Sequence, residues 1–81
     1  MNDDDLRDAI ARALHRVAPE ADVEHLSPDA DLREELELDS MDFLTFVDEL
    51  YGRTGVDVPE RDYPLVTSLE RCMAYLASHT P

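Results

Sequence analysis

Leu36-Glu37-Leu38-Asp39-Ser40-Met41-Asp42-Phe43-Leu44 is the stretch on which the reading of this chain turns. An acidic, apolar-alternating approach runs into Asp39-Ser40, and a helical pattern begins there. Phe43, Phe46, Val47 and Leu50 fall on one side of that helix, and Met41, Leu44 and Asp48 on another. Its apolar surface is therefore wider than one face of a core requires. The spacing predicts a helix from Asp39–Ser40 to about Arg53. Gly52 weakens its last turn, and Gly55 suits the left-handed position just past a helix end. A serine at a helix start has two uses. Its hydroxyl can cap orphan backbone N–H groups. Alternatively it can carry an attached phosphate, because the helix start is electropositive.

Upstream, Leu6, Ala9, Ile10, Ala13, Leu14 and Val17 form one apolar face and predict a first helix over residues 4–17. Asp3, Asp4 and Asp5 lie where the helix dipole favours carboxylates, and Asp8 and Arg12 form a favourable i, i+4 pair. Pro19 ends the helix. Residues 18–39 read as a long connection. Val23, Leu26, Leu32, Leu36 and Leu38 pin it to the core, and one helical turn fits Asp31–Glu35. Downstream, Val56–Pro59 is extended, and Glu60–Tyr63 reads as a single turn cut off by Pro64. Thr67 as N-cap with Glu70 at N3 has capping-box spacing. Leu69, Cys72, Met73, Leu76 and Ala77 then predict a last helix over residues 68–78. The expected fold is all-α, a small bundle of three main helices plus one short helix, with a long loop after the first. Residues 1–81 are expected to form a single domain.

A chain of 81 residues has a small core, burying only about 60–65% of the surface its unfolded form exposes. Its 20 acidic and 7 basic side chains give a net charge of −13, and every base is arginine. Such a surface repels nucleic-acid backbones and anionic membranes and steers toward proteins with basic patches. Like charge also favours a monomer. The single cysteine, Cys72, excludes an internal disulfide and reads as an inert buried thiol. Met-Asn-Asp-Asp-Asp has neither the basic nor the apolar region of a secretory signal, and no apolar run has the length of a membrane span. A cytoplasmic setting is expected. His15, His25 and His79 have no ligand spacing, and the acids at 29, 31, 34 and 35 do not compose an EF-hand loop, so no metal site is expected.

At Leu38-Asp39-Ser40-Met41-Asp42 the chain resembles the acyl carrier protein family, whose Asp-Ser-Leu or Asp-Ser-Met motif opens the second helix. The resemblance spans roughly residues 4–78. It takes in the first amphipathic helix, the acidic loop, Gly55-Val56-Asp57-Val58-Pro59 and a Thr-Ser-Leu opening of the last helix. It implies an acyl-carrier-like bundle and a carrier rather than an enzyme, with a covalent 4′-phosphopantetheine arm on Ser40 and Asp39 beside it. The implied partners are a phosphopantetheinyl transferase and acyl-loading and acyl-transferring enzymes with basic docking patches. Their pathway would make fatty acids, polyketides or other specialised products. Leu-Asp-Ser-Met-Asp-Phe looks like free-standing carriers of bacterial specialised pathways. Two departures bear on which enzymes dock. Leu38 stands where many carriers have glycine before Asp-Ser, and Leu50-Tyr51-Gly52-Arg53 is less acidic than the usual end of the motif helix.

The residues themselves are compatible with this. No base stands beside Ser40 in sequence, which disfavours a serine hydrolase. Met41, Asp42, Leu44 and Asp48 are candidate partner contacts, Met41 because a flexible thioether adapts to several surfaces. Tyr63, Val66 and Leu69 are candidates for an acyl pocket, with plain core packing the competing reading. The alternative function is an acidic helical interaction module in which Ser40 is only a helix cap.

Overall fold

The computed structural model describes residues 1–80. Four α-helices follow one another: α1 (Asp3–Val17), α2 (Leu32–Glu35), α3 (Ser40–Thr54) and α4 (Leu69–His79). Short 3-10 segments at Val23–His25 and Glu60–Val66 fill the first and last connections, and there is no strand among the described residues. The all-α expectation holds; the short helix expected after Pro59 is the 3-10 segment Glu60–Val66, and the single turn at Asp31–Glu35 is the α-helix α2.

Helix α1 starts one residue earlier than the periodicity suggested because Asn2 caps it, its side chain accepting from the Asp5 N–H at 2.8 Å. Its predicted face is buried from Leu6 to Leu14, with Val17 half-buried. That face lies against the buried side of α3, Phe43, Phe46, Val47 and Leu50, and these residues belong to one continuous core. The Asp8–Arg12 pair forms at 2.8 Å on the outer side of α1. A second link, Arg16 to Glu49 at 3.2 Å, joins α1 to α3. Glu49 is shared with Arg53 at 3.3 Å, so this carboxylate is held toward the bundle.

The long first connection is fastened by backbone as well as by apolar pegs. Leu32 and Leu38 are buried, while Val23, Leu26 and Leu36 are partly buried against the core. The Leu32 N–H donates to the Thr67 carbonyl at 2.8 Å, and the Glu70 N–H donates to the Pro28 carbonyl at 3.1 Å. The loop before α3 is thereby tied to the start of α4.

That tie explains a correction. Ser68, not Thr67, caps α4, accepting from the Arg71 N–H at 3.2 Å. Thr67 has its carbonyl taken by Leu32, donates its hydroxyl to Pro64, and adopts αR backbone angles. Ser68 has the extended backbone an N-cap needs. Pro64 also fails to cut the preceding turn, and the 3-10 segment runs through it to Val66. Proline's fixed φ of about −65° lies within the 3-10 range, so only an N–H is lost. On α4 the buried set is Cys72, Tyr75 and Leu76, whereas Ala77 faces out. Tyr75 can be buried because its hydroxyl donates to Asp62 at 2.8 Å. Burial pushes the Cys72 thiol up to about 12, so it stays protonated and unreactive at neutral pH.

Helix α3 ends as expected. Gly55 is left-handed with φ of 76°, and its N–H donates to the Tyr51 carbonyl at 2.8 Å. The buried Thr54 hydroxyl donates to Leu50 and accepts from the Val56 N–H, so it is satisfied. Val56 and Val58 are then buried in the core.

Candidate functional site

The turn between α2 and α3 sets where Ser40 points. Asp31 caps α2, accepting from the N–H groups of Arg33 at 2.9 Å and Glu34 at 3.2 Å. At the other end the Leu38 N–H reaches back to the Arg33 carbonyl at 2.9 Å, and the Glu37 N–H to the Glu34 carbonyl at 3.4 Å. This is the Schellman pattern, with Glu37 at the left-handed position and Leu38 as the apolar residue that packs after it. Glu37 has φ of 53°, and Leu38 is buried. The place that favours glycine is therefore Glu37, not Leu38. Leu38 holds the turn to the core and offers partners no direct surface.

An L-residue in this conformation costs about 1–2 kcal/mol, and Glu37 also puts negative charge at the carbonyl end of a helix. Glu37→Gly is expected to stabilise the protein by about 0.5–1 kcal/mol after the extra chain entropy of glycine is deducted. Urea denaturation of the two proteins tests this. An unchanged or lowered midpoint contradicts the assignment of strain to Glu37.

The start of α3 is capped without Ser40. Asp39 is the N-cap, and its Oδ1 accepts from the Asp42 N–H at 2.8 Å. In return the Asp39 N–H donates to Asp42 Oδ2 at 3.3 Å. Ser40 is the first helical residue and exposed. Reading Ser40 as a cap is therefore wrong: the reciprocal carboxylates fill that role, and the hydroxyl is left over. Its neighbour is the Arg33 guanidinium, with Nη2 at 3.4 Å from Oγ. None of the three histidines reaches it: His15 bonds the Ala21 carbonyl, His25 bonds Asp22, and His79 bonds the Tyr75 carbonyl. This supplies no general base for a serine nucleophile.

Around Ser40 the outer side of α3 is apolar with acids at its edge. Met41 is 69% exposed, Leu44 42% and Tyr51 55%. Asp48 is exposed on the same stripe. Asp42 is half-buried, and part of its carboxylate is engaged in the cap. Tyr51 was not among the sequence candidates, although it continues the Leu44–Asp48 spacing by one step. Asp29 accepts from the Ser27 hydroxyl, and Asp31 caps α2.

The three acyl-pocket candidates all pack on the one core. Tyr63 packs edge-on against Phe43 at 5.3 Å between ring centroids, and Val66 is fully buried in the core. Leu69 lines a cleft of about 440 Å³ between α1, the first 3-10 segment and α4, together with Ile10, Ala11, Val23 and Met73. No residue of α2 or α3 lines that cleft.

Residues 4–76 match the family described as the phosphopantetheine attachment site. The chain belongs to the acyl carrier protein family. It is also 31% identical over 58 residues to an acyl carrier protein of Rubrobacter xylanophilus, with 72% of each chain covered. Domains of this family are carriers rather than catalysts, and they work with transferases and biosynthetic enzymes. In this carrier domain the start of α3 fits a serine-linked phosphodiester. It combines an exposed hydroxyl outside the cap, an electropositive helix start and a guanidinium within hydrogen-bonding reach. No helix among the described residues is long and apolar enough to cross a membrane.

Proposed function

We propose that Ser40 carries the 4′-phosphopantetheine arm and that the protein presents acyl or aminoacyl groups to the enzymes of a fatty acid, polyketide or other specialised pathway. The observation that carries this reading is the division of labour at the start of α3. Asp39 and Asp42 cap each other's backbone, and Ser40 keeps its hydroxyl exposed. A cap-only serine would have its oxygen on a backbone N–H.

In the loading step Ser40 Oγ bonds to the pantetheine-bearing phosphorus of coenzyme A. The pyrophosphate bond breaks and the nucleotide bisphosphate leaves. The transferase takes the serine proton, since no histidine among the described residues reaches Ser40. When bound, the arm supplies a thiol that holds the cargo as a thioester. The protein's own residues fix the arm's root and offer a docking surface. Met41, Leu44 and the exposed Asp48, with Asp42 at the edge, face outward beside Ser40. A basic patch ringed around an apolar seat is the complementary surface. A cytoplasmic setting and a monomeric state belong to the same reading.

Incubation with coenzyme A and a broad-specificity phosphopantetheinyl transferase, followed by intact mass measurement, tests it. The expected result is a gain of one phosphopantetheinyl group, which peptide fragmentation places on Ser40. An unchanged mass, or the group on another residue, would sink the reading.

A further inference from the structure

Arg33 is one of four arginines, with Arg7, Arg61 and Arg71, in no ion pair among the described residues, and of these its guanidinium is the one beside Ser40. Arg12, Arg16 and Arg53 are in ion pairs with Asp8 and Glu49. Arg33 has acids on nearly every side in sequence, Asp31, Glu34, Glu35, Glu37, Asp39 and Asp42, yet it is in no ion pair among the described residues. Of these carboxylates, Asp31 caps α2, and Asp39 and Asp42 form the reciprocal cap of α3. The guanidinium lies 5.7 Å from the centroid of the Phe43 ring, and Phe43 is itself buried and braced edge-on by Tyr63. Its backbone is fixed at both ends, the N–H by Asp31 and the carbonyl by Leu38. A planar cation is thus held over an aromatic face with its Nη2 turned to Ser40 Oγ.

We infer that Arg33 is the positioning residue for the phosphodiester of the arm, gripping its anionic oxygens and holding the arm's root on the α2 side of the α3 start. The inference rests on Ser40 being the attachment point. The chemistry is direct. A phosphodiester adds one negative charge to a chain already at −13, which by itself opposes folding. With Oγ 3.4 Å from Nη2, a phosphoryl group on that oxygen would come within the guanidinium's reach, and a guanidinium presents a fork matched to two phosphoryl oxygens. Docking enzymes would then meet an arm leaving the surface in one preferred direction.

The test compares apo and loaded forms of wild type, Arg33→Gln and Arg33→Lys. Intact mass establishes loading in each. Thermal melting then gives the change on loading, and because each variant is referred to its own apo form, loss of the Phe43 contact cancels. The loading-induced change in Tm is expected to be more favourable in wild type than in Arg33→Gln by about 2–6 °C, the size of one exposed charge pair in a domain of this length. Arg33→Lys is expected between them, since it keeps the charge and loses the fork. The contrast is expected to shrink in 1 M salt. The phosphorus NMR resonance of the loaded protein should also differ between wild type and Arg33→Gln. If all three load fully and show the same Tm change and the same resonance, Arg33 has no such role while Ser40 keeps its own. If wild type gains no mass, the attachment reading fails, and this inference with it.

Discussion

Ser40→Ala is expected to fold as well as wild type and to gain no mass with coenzyme A and transferase. Asp39→Ala is expected to do the reverse in the first respect, losing about 1–2 kcal/mol of stability. The contrast follows from the two oxygens' partners. Asp39 Oδ1 holds the Asp42 N–H, so its removal leaves a helix donor without a protein partner and frees Asp42 from its reciprocal bond. Ser40 Oγ holds no backbone group; its contact is Arg33 at 3.4 Å, long for a hydrogen bond. Alanine is also the better helix former at an exposed first-turn position, so the net change is expected within about 0.5 kcal/mol. Urea denaturation and intact mass of the two variants check both halves. Destabilisation of Ser40→Ala by more than about 1 kcal/mol would return the serine to a capping role.

The sequence carried the parts of this site that depend on local spacing. The first-helix face from Leu6 to Leu14, the two sides of α3, Gly55 and the exposed Met41 all follow from period and end signals within one helix. What escaped depends on chain segments that meet only in the fold. Thr67 has better capping-box spacing than Ser68, but the Leu32 N–H draws on the Thr67 carbonyl from more than thirty positions away. Arg33 was one base in an acidic loop until the Schellman turn at Glu37 folded α2 back beside Ser40. Glu37 is misleading in sequence because glutamate disfavours the left-handed region it occupies, so Leu38 was assigned the wrong part.

Phe46→Ala is expected to cost about 3–5 kcal/mol, the largest effect of any single truncation on α3. The side chain is fully buried, packs against Phe43 with ring centroids 5.8 Å apart, and belongs to the core that α1 covers with Leu6, Ile10 and Leu14. A domain of this size has about 4–12 kcal/mol of stability in all, so the variant would sit near the edge of folding at 37 °C. The outer stripe of the same helix is expected to behave oppositely. Met41→Ala and Leu44→Ala remove side chains that are 69% and 42% exposed, and each should change stability by less than about 1 kcal/mol. Their loss should be felt in transfer of cargo by a partner enzyme, as a raised KM for the carrier. Denaturation midpoints for the three variants, beside KM values for loading, separate the two faces. If Met41→Ala proved as destabilising as Phe46→Ala, or left every partner's KM unchanged along with Leu44→Ala, the stripe would not be a docking surface. Helix α3 combines the two demands because its apolar residues outnumber the places in so small a core. One side of the helix holds the bundle together, and the surplus beside Ser40 stays exposed.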